Sequence, residues 1–249
     1  MRIMTIPCLS DNYAYLIEAG GSCAVIDPSE AGPVRAVLQR EGLKLTHIIN
    51  THHHDDHVGG NLELKAQFGA LVVGPEKDRR RIPGIDIGVS EASGWEFAGM
   101  PVVVLEVPGH TLGATTYVID ANAFTGDTLF SCGCGRVFEG DAAMMWASLS
   151  KLMTLPDDTK IWCGHEYTEG NCRFALTLEP ESVPLRMFTQ VIRKARAAGT
   201  PTVPSTMKLE KLVNPFLRPD SPVIRKALGL ETADEVEVFA EVRRRKDSF

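Results

Sequence analysis

The stretch "THHHDDH", Thr51 to His57, crowds four of the chain's seven histidines into six consecutive positions, directly after the β-like run "LTHIIN". The chain must therefore turn at a strand end. Where backbone is extended, successive side chains point to opposite sides. His52 and His54 share one direction and His53 takes the other. Asp56 and His57 lie beyond the turn, ahead of Gly59-Gly60 and the helix-like "NLELKAQFG". Imidazole and carboxylate are common donors to zinc, iron and manganese. The stretch thus supplies parts of two adjacent metal pockets and completes neither. His47, inside the strand, and His53, pointing away from its neighbours, are not counted as ligands.

Further donors are expected at other strand ends. "VVVLEVPGHT" delivers His110, "NAFTGDT" delivers Asp127 and "KIWCGHE" delivers His165, each after an apolar run and a glycine that lets the backbone turn sharply. Ligands on loops at one edge of a sheet can converge on a common point. The same region reads as short strands, including "YAYLIEA", "SCAVIDP", "ALVVGP" and "ATTYVID", alternating with helical patterns at "GPVRAVLQREG" and at 141–155. After Tyr167 the strand-like runs stop. Leu185, Phe188, Ile192 and Ala195 form one apolar stripe opposite Arg186, Gln190, Arg193 and Lys194. A final helix is expected to start at a capping box of Thr232 and Glu235, with Val236, Phe239 and Val242 at helical spacing. The division expected is an α/β catalytic domain, 1–167, followed by a helical substrate-binding subdomain, 168–249.

Composition removes several classes. A net charge of −6 argues against nucleic acid as a partner, because neutralising phosphates needs a basic excess. The N-terminal "MRIMTIPCLS" holds no apolar run of signal or membrane length, so a cytoplasmic protein without a membrane partner is expected, as a monomer or small homo-oligomer. Six cysteines without zinc-finger spacing read as reduced thiols, the pair Cys132 and Cys134 included. No G-x-S-x-G elbow and no Walker-type loop is present, so acyl-serine and nucleotide mechanisms lose support.

The pattern H-x-H-x-D-H, followed by G-H, G-D and G-H, resembles the metallo-β-lactamase fold superfamily. The resemblance implies an αββα sandwich holding two divalent transition metal ions, zinc first, with iron and manganese suited to the same donors. His52, His54 and His110 would hold one ion, and Asp56, His57 and His165 the other. Asp127 would bridge them, and Asp27 in "VIDP" would brace the loop. Asp56 and Asp127 would be catalytic through the hydroxide that the metals hold. That fold hosts lactamases, lactonases, thioesterases, nucleases and sulfur dioxygenases, so other residues must choose among them.

"GCGRVFEG", "CGHEYT" and "RRRKDSF", together with "TVPST" and "NPFLR", resemble glyoxalase II, the hydroxyacylglutathione hydrolase family. The resemblance covers nearly the whole chain. It implies hydrolysis of 2-hydroxyacyl thioesters of glutathione, typically S-D-lactoylglutathione to D-lactate and glutathione, in methylglyoxal detoxification. Arg136, Phe138, Tyr167, Arg243 and Lys246 match positions that hold the glutathione moiety. Guanidinium forks suit its two carboxylates. Some relatives carry Lys at 136 and Tyr at 138; Arg136 keeps the charge, whereas Phe138 lacks a phenolic hydroxyl. Two alternatives use the same fold. A mononuclear iron dioxygenase acting on glutathione persulfide would need only His52, His110 and Asp127, and the other is a metal-dependent nuclease or lactonase, the acidic charge balance speaking against the nuclease. The full donor set and the C-terminal helical extension favour the thioesterase.

Overall fold

Strands β1 (Arg2–Cys8), β2 (Asn12–Ala19) and β3 (Ser22–Ile26) form an antiparallel meander. Helix α1 (Ala31–Glu41) leads to β4 (His47–Ile49). Then α2 (Asp55–Val58) and α3 (Asn61–Phe68) lead to β5 (Leu71–Pro75) and β6 (Ile87–Val89), and from β3 to β6 the pairing is parallel. A second set, β7 (Trp95–Phe97), β8 (Met100–Glu106), β9 (Thr115–Ile119) and β10 (Asn122–Gly126), is antiparallel throughout. The computed structural model describes all 249 residues and divides them into two compact units. These strands and helices belong to the first, Met1–Glu106 with Leu112–Gly126.

Alternation explains why the first sheet is covered on both faces. Ala14, Leu16, Cys23, Val25, Ile48 and Val72 point to one side, where Ala31, Val34 and Leu38 of α1 and Leu64 of α3 complete a buried cluster. The intervening Tyr13, Tyr15, Ile17, Ala24, Ile26, Ile49 and Val73 are buried as well, on the opposite side. There Tyr15 meets Phe124 of β10 at 5.7 Å, and His47 lies edge-on to Trp95 and Phe97 at 5.8 and 5.5 Å. His47 is thus a packing residue, as expected. Helix α1 stops at Gly42, whose left-handed φ of 66° lets its N–H return to Leu38 and Gln39 carbonyls.

The second unit, Val107–Thr111 with Asp127–Phe249, begins its ordered elements with the short hairpin β11 (Leu129–Phe130) and β12 (Gly133–Cys134). Helix α4 (Ala142–Leu152), β13 (Lys160–Cys163), α5 (Thr168–Leu178) and α6 (Val183–Ala197) follow. Strand β14 (Ser205–Thr206) pairs with β13, and α7 (Met207–Val213), α8 (Pro222–Leu228) and α9 (Glu235–Asp247) complete the chain. On α6, Leu185 and Ile192 are buried while Arg186, Gln190, Arg193 and Lys194 are exposed, as the stripe requires.

Two local expectations are corrected. The cap of α9 is Asp234 with Glu237, each side chain bonded to the other's backbone N–H, and not Thr232 with Glu235. Both pairs have the right spacing and Asp caps as well as Thr. Starting at Asp234 puts Val238, Phe239 and Val242 on the buried face. The segment after His54 is also not a bare turn, since Asp55–Val58 forms the helical turn α2. No helix is long and apolar enough to cross a membrane.

Tyr117 of β9 is fully buried and donates its hydroxyl proton to the Asn50 carbonyl at 2.9 Å. Burial pushes its pKa well above the usual phenol value, so the proton stays available for that bond. Tyr117→Phe should lower stability by about 1–3 kcal/mol, because a buried carbonyl loses its donor. A lower urea midpoint at unchanged slope would show it; an unchanged midpoint would refute the role.

Candidate metal centre

In the first unit the histidine stretch is organised by Asp27, at the end of β3. Its Oδ1 accepts the Thr51 N–H at 2.8 Å, and its Oδ2 accepts the Thr51 hydroxyl at 2.6 Å and faces His57 Nδ1 at 3.0 Å. A carboxylate here only accepts, so His57 Nδ1 carries a proton and Nε2 is the nitrogen that a metal would use. The Thr51 hydroxyl donates to Asp27, so its oxygen accepts from His52 Nδ1 at 3.0 Å. His52 in turn keeps its lone pair on Nε2. One buried carboxylate fixes the tautomers of two imidazoles.

His52 Nε2 lies 3.1 Å from His54 Nδ1. Two donors each about 2.0–2.1 Å from a tetrahedral zinc stand about 3.3 Å apart, so the pair suits one ion. On α2, Asp56 Oδ2 lies 3.6 Å from His57 Nε2. The His52 and His57 rings themselves lie 4.1 Å apart, so the two donor pairs are neighbours. His53 turns the other way, its Nδ1 3.0 Å from Oδ2 of the fully buried Asp78. Gly126 approaches this loop at φ 49°, where a Cβ would collide with Thr51 Oγ1.

In the second unit, Asp127 Oδ2 lies 3.5 Å from His110 Nε2 and 3.3 Å from His165 Nε2. A single oxygen facing two ring nitrogens is what a shared ligand requires. His110 Nδ1 donates to the Arg136 carbonyl at 2.9 Å, which again leaves Nε2 as the donor atom. A Cβ at Gly135 would fall on the Asp127 carbonyl oxygen and against His110, so only glycine closes this cradle. His165 stacks on Tyr167 at 4.7 Å with the rings 4° from parallel. Imidazoles that turn Nε2 towards acidic oxygens, with Nδ1 engaged elsewhere, make a donor set that fits divalent metal ions.

The substrate-binding residues expected from the sequence also lie in the second unit. Phe138 is 59% exposed, with its ring 5.2 Å from His110, and Tyr167 is 41% exposed. Lys246 sits over the rings of Phe174 and Phe249 at 5.7 and 5.4 Å. Burial, then the like charges of Arg243, Arg136 and Arg173, pull its pKa below the ordinary lysine value. Arg243 differs from the others: it is 8% exposed, donating to the Cys134 carbonyl at 2.8 Å and pairing with Asp247 at 2.9 Å. Its guanidinium braces the β12 end of the hairpin as well as adding charge. Cys134 and Cys163 are buried thiols pushed up to about 11 and about 12, chiefly by desolvation, so neither is a thiolate at neutral pH.

Three contributors were not picked out in the sequence. Asn12 donates to the Asp56 carboxylate at 3.0 Å and to its carbonyl at 3.1 Å, orienting that donor from 44 residues away. Asp78 holds His53 and also pairs with Arg81. Arg173 adds a third cation around Lys246. Asn12 and Asp78 act through tertiary contacts, and no local motif announces them.

Residues 10–165 match the family model for the metallo-beta-lactamase superfamily, and residues 166–249 match that for the hydroxyacylglutathione hydrolase C-terminus. The chain is 51% identical to the hydroxyacylglutathione hydrolase of Methylococcus capsulatus, over 100% of this chain and 99% of that protein. It is 50% identical to the one from Maricaulis maris, with the same coverage. Among solved structures it is similar to ETHE1 from Myxococcus xanthus, with TM-score 0.70, 26% identity, and 98% and 90% of the two chains covered. It is similar in fold to the BLEG-1 B3 metallo-beta-lactamase, with TM-score 0.67, 22% identity, and 87% and 100% covered. The fold is that of the metallo-β-lactamases with a helical C-terminal region. Matched along its whole length in this way, the chain belongs to the hydroxyacylglutathione hydrolase family.

Proposed function

We propose that this chain hydrolyses S-2-hydroxyacylglutathione thioesters, typically S-D-lactoylglutathione, to a 2-hydroxy acid and glutathione in methylglyoxal detoxification. Full-length relatives near 50% identity bear that name. The observation that carries the reading is Asp127 Oδ2 set 3.5 and 3.3 Å from two imidazole nitrogens. A cytoplasmic setting goes with six cysteines that form no disulfide, as suits a reducing compartment.

His52, His54 and His110 would hold one divalent ion, Asp56, His57 and His165 a second, and Asp127 would be shared. Zinc is the proposed occupant, and iron and manganese accept the same donors. When bound, such a pair lowers the pKa of a coordinated water towards about 7 and polarises the thioester carbonyl.

The chain's own residues do the rest. Asp27 and the Arg136 carbonyl keep the Nδ1 protons of His57 and His110 in place, so each ring presents Nε2. Asn12 holds Asp56 in one rotamer. Lys246, Arg136 and Arg243 would take the glutathione carboxylates, Lys246 as a mobile ammonium and Arg243 as a fixed charge behind it. Phe138, beside His110, offers an apolar wall and no hydrogen bond. Tyr167 offers a ring edge and a hydroxyl. Thiols near pKa ~8.5 leave as thiolates at neutral pH without a dedicated acid, so no side chain is assigned as proton donor.

His54→Ala and Asp127→Ala should lower kcat on S-D-lactoylglutathione by about 100-fold or more, with little change in KM. Lys246→Ala should instead raise KM about 10–100-fold, the equivalent of a charge-assisted hydrogen bond. Unchanged KM in that variant would remove Lys246 from the site. Because its pKa is lowered, the wild-type KM should climb with rising pH earlier than an ordinary lysine would dictate. Lys246→Arg should flatten that climb, since arginine stays charged. Exhaustive chelation should abolish thioester cleavage and Zn2+ should restore it. Full activity in a preparation with no metal by elemental analysis would sink the dinuclear reading.

A further inference from the structure

The hairpin of β11 and β12 touches three of the donor residues in its unit. Its first strand begins at Leu129, with only Thr128 between it and Asp127. Past Gly135 its second strand reaches Arg136, whose carbonyl accepts from His110 Nδ1 at 2.9 Å. Phe130 stands edge-on to the His165 ring at 5.9 Å and 87°. Any drift of this hairpin shifts all three donors together.

A two-residue strand pair cannot fix itself. Its tip carries Cys132 at φ 56°, a left-handed conformation disfavoured for a residue with a Cβ. Four buried polar side chains from the helical part of the unit hold it. Asn171 of α5 donates to the Ser131 carbonyl at 3.1 Å, and Asn214 donates to the Phe130 and Gly133 carbonyls at 3.2 and 2.9 Å. Arg243 donates to the Cys134 carbonyl, as described above. Glu210 of α7, with no exposed surface, is the sole acceptor in the group that takes a backbone N–H of the tip. Its Oε2 accepts Cys132 N–H at 2.8 Å and Asn214 Nδ2–H at 3.0 Å. Its Oε1 accepts from the Ser131 hydroxyl at 3.3 Å and from the Ser205 hydroxyl.

A buried carboxylate is expensive unless hydrogen-bonded, and here two of the four donors, a backbone N–H and an amide, cannot reverse roles. Burial pushes the Glu210 carboxyl up, and all four bonds oppose that shift. A hydrophobic residue would fill the space more cheaply. What it could not do is hold Cys132 in its left-handed conformation and orient Asn214.

We propose that Glu210 is a positioning residue for the metal centre, setting Asp127, His110 and His165 through the hairpin. The helical region thereby builds the donor set in addition to binding glutathione. The proposal rests on the reading that these three residues hold metal.

The test measures Zn2+ affinity by competition with a chromogenic chelator, on folded protein, beside the melting temperature. Glu210→Met keeps the volume and removes both acceptors; it should weaken metal binding about 10–100-fold, the usual effect of losing an outer support. Glu210→Gln keeps an acceptor for Cys132 and Asn214 and should recover most of the affinity. Ile224→Ala, in the buried face of α8 and away from the hairpin, serves as a control of matched destabilisation and should bind metal like wild type. Should Glu210→Met fail to fold, Glu210→Asp, which withdraws the carboxylate by one methylene, gives the same readout and the same expectation. Wild-type affinity in the folded Met or Asp variant, or an equal loss in Ile224→Ala, overturns the proposal. A wild-type protein that binds no divalent metal overturns the underlying metal reading instead, and is distinguishable because every variant then behaves alike.

Discussion

Everything in the first unit's donor loop depends on the Asp27 carboxylate. It sits in a left-handed turn, φ 46°, at the point where β3 ends. Three protons converge on it, from Thr51 N, Thr51 Oγ1 and His57 Nδ1. Its own N–H meanwhile donates to the Ile49 carbonyl of β4 at 2.9 Å. The parallel pairing of β3 and β4 thus continues past the strands as side-chain hydrogen bonding. A strained backbone persists only where its surroundings over-determine it, and here they do. The sequence motif "VIDP" places an acid beyond a strand; the fold turns that acid into the group that selects which nitrogen of two histidines carries a lone pair.

The second unit solves a parallel problem with a different device. Its donors are steadied by backbone carbonyls and aromatic faces: Arg136 C=O for His110, and Tyr167 and Phe130 for His165. Neither support adds charge beside the site. Positive charge gathers instead on Lys246 and its arginine neighbours, where burial first and then those like charges lower the Lys246 pKa. Like charges so collected are stabilised by an anion, and carboxylates bind such a cluster by charge-assisted hydrogen bonds. Arg243 is the hinge between the two tasks, because one fork both braces Cys134 and contributes to that potential.

Much of this was legible in the sequence because it follows from short periods. β2, β3, β4, β5, β8, β9, β10 and β13 all fall on apolar runs bounded by Gly, Pro or Asp, and period-two alternation at His52 to His54 correctly separates His53. β1 escaped because "RIMTIPC" carries a proline and half-exposed positions, as an edge strand does. β6, β7, β11, β12 and β14 are two or three residues long and, unlike the equally short β4 within "LTHIIN", lie in no longer β-like run. The α9 cap was misplaced because two overlapping pairs obey one spacing rule, and only packing decides between them.

Residues that work at a distance are the other blind spot. His53 reads as a spacer, since alternation says only where it does not point. In the folded chain it meets Asp78, 25 residues on and fully buried, whose other oxygen is bonded by Arg81. Turning one histidine away from the donors is therefore not an idle consequence of the strand. It anchors the middle of the loop from the opposite side, so His52 and His54 are held between Asp27 on one flank and Asp78 on the other. A run of three histidines thus divides its labour by parity. Outer members bring their nitrogens to 3.1 Å of each other, and the middle one ties the backbone between them to Asp78. Asn12 with Asp56 repeats the logic one turn later. Local pattern can nominate a donor, but the partner that fixes it is chosen by the fold.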